Sequence, residues 1–285
     1  MTSPTLTGSS ASHESQPRVR VDVEGHVARV TLSRPEKHNA LDLAMFEAIV
    51  AAADLVRSTP SVRAVVLHGE GPSFCSGLDL GSLMAAPGGL AEAQEALRGP
   101  VPNRYQRTAY DWVTLPVPVI AALHGNCLGG GLQIALGADI RIARPDTRMS
   151  VMEVRWGLIP DMSITRTLPR LVGVDVAKEL TFTGRVFDGK EALRLGVVTQ
   201  LADDPLSAAL ELAGQIAQRS PDAVQRAKRL LEESWIQAAQ ETLRLEASLQ
   251  GELIGSPNQL AAVTAGLTKQ PAQFTDPGPG EGAAS

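Results

Sequence analysis

His124-Gly125-Asn126-Cys127-Leu128-Gly129-Gly130-Gly131-Leu132 follows directly on an apolar run over residues 117–123, and the reading of the fold turns on this junction. A short apolar run bounded by turn residues reads as a buried strand. The glycines after it deliver the chain into a helix predicted over residues 129–137. A helix start carries N–H groups with no intrahelical acceptor and the positive end of the dipole. Glycine at such a place lets a ligand come close to the backbone. A second junction of the same kind, Ser73-Phe74-Cys75-Ser76-Gly77-Leu78-Asp79-Leu80, lies just after a short strand predicted over residues 64–67. Two such turns side by side would aim two N–H donors at one oxygen, the arrangement of an oxyanion hole.

Working outward, strands and helices alternate. Val19, Val21 and Val23, then Val27 and Val30 beyond Glu24-Gly25, predict a β-hairpin. Leu43, Phe46, Ile49, Val50 and Ala53 have helical spacing, with Asp42 as N-cap. Residues 139–143 predict a further strand. This alternation implies an α/β fold with a mainly parallel sheet. After Asp203 the pattern is helical alone, over residues 206–218, 221–235 and 238–254. Residues 1–17, rich in Ser, Thr and Pro, predict a disordered arm, and residues 271–285 a flexible tail. The expected division is therefore 1–17, a core over 18–203, a helical region over 204–270, and 271–285.

Composition narrows the function. With 285 residues and a net charge of −5, the chain has no general basic footprint of the kind nucleic acid needs. Its two cysteines, Cys75 and Cys127, argue against a disulfide framework and fit a reducing compartment. Residues 1–17 lack an apolar segment, and the run over 117–123 is far too short to span a bilayer, so a cytoplasmic protein without a membrane partner is expected. No dinucleotide or phosphate-loop glycine motif follows a strand, and no nucleophile elbow occurs. His13, His26, His38, His68 and His124 show no metal-ligand spacing, so no metal is expected.

Together these motifs resemble the enoyl-CoA hydratase/isomerase (crotonase) superfamily. The resemblance covers roughly residues 18–270. It rests on Arg34-Pro35-Glu36-Lys37-His38-Asn39-Ala40-Leu41, on the two glycine junctions, on Ala138-Asp139-Ile140-Arg141-Ile142-Ala143, and on residues 153–160. Thr181-Phe182-Thr183-Gly184-Arg185 and residues 192–198 add to it. It implies a crotonase-like spiral of ββα repeats with a C-terminal helical trimerisation region, and hence a homotrimer or dimer of trimers. It also implies an acyl-CoA thioester substrate, with CoA as part of the substrate and no separate cofactor. By motif, the oxyanion donors would be the N–H groups of Leu78 and Gly130, with Ser76 and Gly77 at the substrate and the Ser76 carbonyl near the adenine. Lys37 would lie near the CoA phosphates.

Two departures from the family pattern bear on the reaction. Hydratases of the family use two glutamates, the first two residues after the glycine triplet and the second 20 residues further on; here those places hold Gln133 and Glu153 (153 − 133 = 20). Glutamine has no titratable proton near neutral pH and cannot act directly as a general base. Gln133 is therefore expected among the substrate-binding groups and Glu153 as the main acid/base. The second departure is Pro160-Asp161-Met162-Ser163, where hydratases usually carry glycine after the proline. Asp161 lies eight residues after Glu153 (161 − 153 = 8), matching the catalytic aspartate of dienoyl-CoA isomerases. Those isomerases also keep an acid at the place of Gln133, so the match is partial. The plain alternative is that Asp161 caps a helix beginning near Ser163. Isomerisation is the leading expectation. A hydratase using Asp161 in place of the missing glutamate, and a non-catalytic acyl-CoA-binding scaffold, are the alternatives.

Overall fold

The computed structural model describes residues 17–276. The hairpin forms where the alternation places it: β1 (Val19–Glu24) pairs antiparallel with β2 (Val27–Leu32), with Gly25 left-handed in the turn. Helix α1 (Leu43–Arg57) starts at Asp42, whose carboxylate accepts the Met45 N–H. Strand β3 (Ala64–Gly69) returns parallel to β2. Helices α2 (Leu80–Ala85), α3 (Gly89–Leu97) and α4 (Arg104–Thr114) make the crossover to β4 (Val119–Leu123), which runs parallel to β3. There follow β5 (Asn126–Leu128), α5 (Gly130–Leu136), β6 (Ile140–Ala143) and β7 (Arg148–Ser150). Then come α6 (Ile164–Leu171), α7 (Val174–Thr183), α8 (Gly189–Leu195) and β8 (Gln200–Leu201). The main sheet has the order β1-β2-β3-β4-β6-β8 and is parallel apart from its first pair; β5 and β7 form a small parallel sheet beside it.

The main sheet is covered on both faces. Val30, Leu32, Val65, Leu67, Ala121 and Leu123 point to the larger core, which they share with Met45, Phe46 and Ile49 of α1. Ala64, Val66, Ile120, Ala122 and Ile142 point the other way, onto Ala209 and Ala213 of α9 (Pro205–Ala217). Burial on both sides is why β3 and β4 read as unbroken apolar runs rather than as alternating strands.

Beyond α9 the chain is helical, as expected: α10 (Pro221–Glu233), α11 (Ala239–Leu253) and α12 (Pro257–Thr268). Lys228 pins α10 to the core. Its buried ammonium donates to Trp112 O (3.2 Å), Val117 O (3.0 Å) and Asp139 Oδ2 (2.8 Å). Leu231, Trp235 and Leu243 stay exposed. The free tail expected from residue 271 requires a correction. Arg63 donates to Phe274 O (3.2 Å) and Asp276 Oδ1 (2.7 Å), and Asn258 Oδ1 accepts the Thr275 N–H (2.9 Å). A guanidinium as buried as that of Arg63 needs acceptors, and this segment supplies a carboxylate and a carbonyl. The expected arm lies outside the described residues except for Pro17, as does the tail over residues 277–285. Among the described residues no helix is long and apolar enough to cross a membrane, and no group of three His, Cys, Asp or Glu could hold a metal ion.

Candidate active site

The two glycine junctions lie against each other at the C-terminal ends of β3 and β4, stitched by main-chain hydrogen bonds. Phe74 N–H donates to His124 O (2.9 Å), Cys75 N–H to Asn126 O (2.9 Å), and Leu128 N–H to Cys75 O (3.0 Å). The fit admits no side chain at two positions. A Cβ on Gly77, which has φ +89, would stand 2.7 Å from Leu128 O; one on Gly131 would stand 2.5 Å from Cys75 O. The same Gly77 Cβ would be 3.7 Å from Gly130 N, so the residue preceding Leu78 lies directly beside the start of α5. Among the described residues the N–H groups of Leu78 and Gly130 donate to no acceptor.

A buried asparagine braces this arrangement from the first motif. Asn39 is fully buried; its Oδ1 accepts the Arg34 N–H (2.7 Å) and its Nδ2 donates to Glu70 O (2.9 Å) and Ser73 O (2.8 Å). Leu41 N–H donates to Gly77 O (2.8 Å), and Asp79 N–H to Leu41 O (3.0 Å), so the first motif runs as a third rail beside the junction. Sequence reasoning quoted Asn39 without giving it a role. The signal was its residue type, since Asn and His are among the few non-glycine residues that enter the left-handed region, and His38 and Asn39 have φ of 51 and 55. Asp79 caps α2 and pairs with Arg34 at 2.8 Å. Burial works to raise its pKa, but the hydrogen bonds from Ser82 and Arg34 outweigh burial and bring it down to about 2.

Glu153 opens a single 3-10 turn over Glu153–Trp156 and points back at α5. Its Oε1 accepts from Gln133 Nε2 at 2.6 Å, and its Oε2 is buried with no hydrogen-bond partner among the described residues. Gly129, left-handed with φ +53, lies beside it: a Cβ there would stand 3.4 Å from Glu153 Oε1. Burial raises the Glu153 pKa and the charge of Asp161 adds to the rise, while its own N–H and the Gln133 amide pull the other way. A carboxyl in this state, with one oxygen bare, is placed to take or give a proton.

Gln133, expected among the substrate-binding groups, spends both ends of its amide inside the protein. It is almost fully buried, and its Oε1 accepts the Met162 N–H at 2.9 Å. Asp161, the residue before Met162, is half-buried, and burial raises its pKa as well; its own N–H opposes the rise. It does not cap α6. The N-cap is Ser163, in the left-handed region and without a side-chain cap bond. The Ser163 hydroxyl instead donates to Gln106 O (3.2 Å), tying the turn to α4. There Tyr105 stacks edge-on against Phe46 at 5.0 Å. Burial raises the Tyr105 pKa; Arg104 opposes, and the charges of Glu92 and Asp161 add to the rise. No sequence signal marked Tyr105, because its closeness to Asp161 arises only from the packing of α4. Lys37 is exposed, and its carbonyl accepts the Ser76 hydroxyl at 3.3 Å, so these two expected substrate contacts lie together.

The sequence profile of the enoyl-CoA hydratase/isomerase family matches residues 22–277. The chain belongs to the enoyl-CoA hydratase/isomerase family. It is 33% identical over 259 residues, 90% of its length and 98% of the other's, to a probable enoyl-CoA hydratase of Bacillus subtilis. It is 35% identical over 254 residues, 86% of its length and 77% of the other's, to the mitochondrial Delta(3,5)-Delta(2,4)-dienoyl-CoA isomerase of Rattus norvegicus. The crystal structure of an enoyl-CoA hydratase from Bacillus anthracis superposes with a TM-score of 0.83 at 30% identity, covering 90% of this chain and 98% of that one. The architecture is thus the crotonase fold with its C-terminal helices, and the protein is an acyl-CoA enzyme of this family.

Proposed function

We propose that this enoyl-CoA hydratase/isomerase family member shifts double bonds in enoyl- or dienoyl-CoA by proton transfer. The observation that carries the reading is the pairing of Glu153 and Asp161 as two half-buried carboxyls with raised pKa, while Gln133 stands where hydratases have their other glutamate. The thioester oxygen is held between the N–H groups of Leu78 and Gly130, which have no other acceptor among the described residues. Glu153 Oε2 takes a proton from the carbon next to the thioester, and the electron pair moves onto the thioester oxygen as an enolate. For a 3-enoyl ester, Glu153 alone can return the proton two carbons further on. For a 3,5-dienoyl ester the proton is delivered four carbons away, where Asp161 supplies it from its protonated form, which burial favours. The acyl group reaches the protein as a CoA thioester, so no separate cofactor enters the chemistry. The exposed Leu231, Trp235 and Leu243 support assembly as a homotrimer or dimer of trimers, and the composition supports a cytoplasmic site.

Hydration of 2-enoyl-CoA is the second reading, favoured by the near full-length similarity to a protein named as a probable hydratase. Incubation with 2-enoyl-, 3-enoyl- and 3,5-dienoyl-CoA esters separates the two readings, because water addition changes product mass and isomerisation changes only ultraviolet absorbance. Isomerised 3-enoyl or 3,5-dienoyl ester of unchanged mass is the expected result. Rapid water addition to the 2-enoyl ester with no isomerisation would replace this reading by the second.

A further inference from the structure

Gln133 has one amide and two buried partners, and their chemistry fixes how it must lie. The Met162 N–H can only donate, so it selects the oxygen end of the amide, at 2.9 Å. That leaves the Nε2 end facing Glu153 Oε1, at 2.6 Å. The orientation of the amide is therefore set by the backbone. Glu153 Oε2 has no partner, although it is buried. Gly129 presents no side chain that could push the carboxyl off this line.

We propose that Gln133 is the positioning residue of Glu153: its amide, locked end for end by Met162, holds Oε1 and leaves Oε2 as the oxygen that exchanges protons. Because Met162 follows Asp161 directly, the same amide also fixes the distance between Glu153 and the Asp161 turn. Gln133 thus acts as a spacer between two carboxyls, in the place where hydratases of the family carry their first glutamate. This rests on the reading of Glu153 as the proton-moving group.

The sign of the effect follows from the donor. A hydrogen bond to the charged form of a carboxyl favours that form, so the Gln133 amide works against the rise that burial imposes on Glu153. Removing it sends the Glu153 pKa further up. Among the titratable side chains of the described residues, Asp161 is the one whose charge acts on Glu153, and it acts in the same upward direction.

The test is a titration of the Glu153 carboxyl by infrared difference spectroscopy on the full chain without substrate. It is recorded in a D161N background and assigned by loss of the band in E153Q. Gln133→Met keeps length and removes both hydrogen bonds. The Glu153 band is expected to titrate at higher pH in Q133M than in the parent. With an isomerised ester, kcat falls about 10- to 100-fold with KM nearly unchanged, as misplacement of a reacting group predicts. The acid limb of the kcat profile moves up with the band. A Q133M protein that melts like the parent and titrates at the parent's pH overturns the proposal. Should Q133M fail to fold, Gln133→Glu keeps shape and the acceptor for Met162. It places a second carboxyl against Glu153 Oε1, and two carboxyls so close lose their protons in two separated steps. A single, unshifted step in Q133E overturns the proposal equally. If the bands shift as expected while no CoA ester is isomerised, the positioning role stands and the proposed reaction falls.

Discussion

The glycine junctions and the segment over residues 153–163 meet at the same site but are held in opposite ways. The junctions are fixed by backbone: main-chain hydrogen bonds join them, and Gly77 and Gly131 leave no room for a Cβ. The segment from Glu153 onward is fixed by side chains, through Gln133 to Glu153 and Met162 and through Ser163 to Gln106. Trp156, Leu158 and Ile159 within it are exposed, and Gly157 and Ser163 are both left-handed. The difference explains how one scaffold can serve several reactions. On the proposed reading the thioester oxygen is bound by main-chain donors, whose geometry the glycines keep. Where the protons go depends on side chains, and a single substitution there changes the reaction without disturbing the fold.

The comparison breaks most visibly at Glu153. Glu153→Gln keeps the shape and the contact with Gln133 but removes the base, and turnover is expected to fall about 10²–10⁴-fold with melting temperature little changed. An unchanged rate of isomerisation would take Glu153 out of the chemistry.

Gly130→Val strikes the backbone-held half. Even the Cβ would stand 2.8 Å from Leu41 Cδ1 and 2.9 Å from Met162 Sδ, so these side chains or the start of α5 must shift. Loss of a correctly placed donor typically costs about 10²–10³-fold in kcat. A folded G130V protein with normal turnover would separate the glycine junctions from thioester binding.

Asp161→Asn sharpens the comparison within the side-chain-held half. Turnover of a 3,5-dienoyl ester should drop by about 10²-fold or more, the order of one general acid. Turnover of a 3-enoyl ester should stay within about twofold, since one carboxyl is enough for the shorter proton transfer. Equal loss on both substrates would make Asp161 a structural residue.

The smallest effect is on pH. The Glu153 pKa is raised above its ordinary 4.5, and a base works only when deprotonated, so kcat should fall on acidification at a pH higher than an ordinary glutamate would give. A kcat profile measured between about pH 4 and 8, a span around the ordinary carboxylate range, checks this. An acid limb at or below the ordinary value would mean that Glu153 is solvated during turnover.

Several elements were legible because neighbours in sequence determine them. Asp42 caps α1, the hairpin turns at Gly25, and α5 opens after Gly129, each where local pattern places it. Residues 274–276 were misread as part of a free tail because polar, proline-bearing composition does not reveal Arg63, more than two hundred residues earlier. The frame of the family motif located Gln133, Glu153 and Asp161 without showing what they touch.

By itself the sequence determined the strand runs, the helix starts and the positions that must be glycine, because these depend on backbone dihedrals and on periodicities of two and 3.6 residues. The tertiary structure alone decided three further things. Gln133 spends its amide on Glu153 and Met162, Glu153 keeps one oxygen bare, and Asp161 caps no helix. Those outcomes depend on distances of a few ångströms between segments that only the packing of α5 against the turn before α6 brings together. A hydrogen bond is made or lost within less than one ångström.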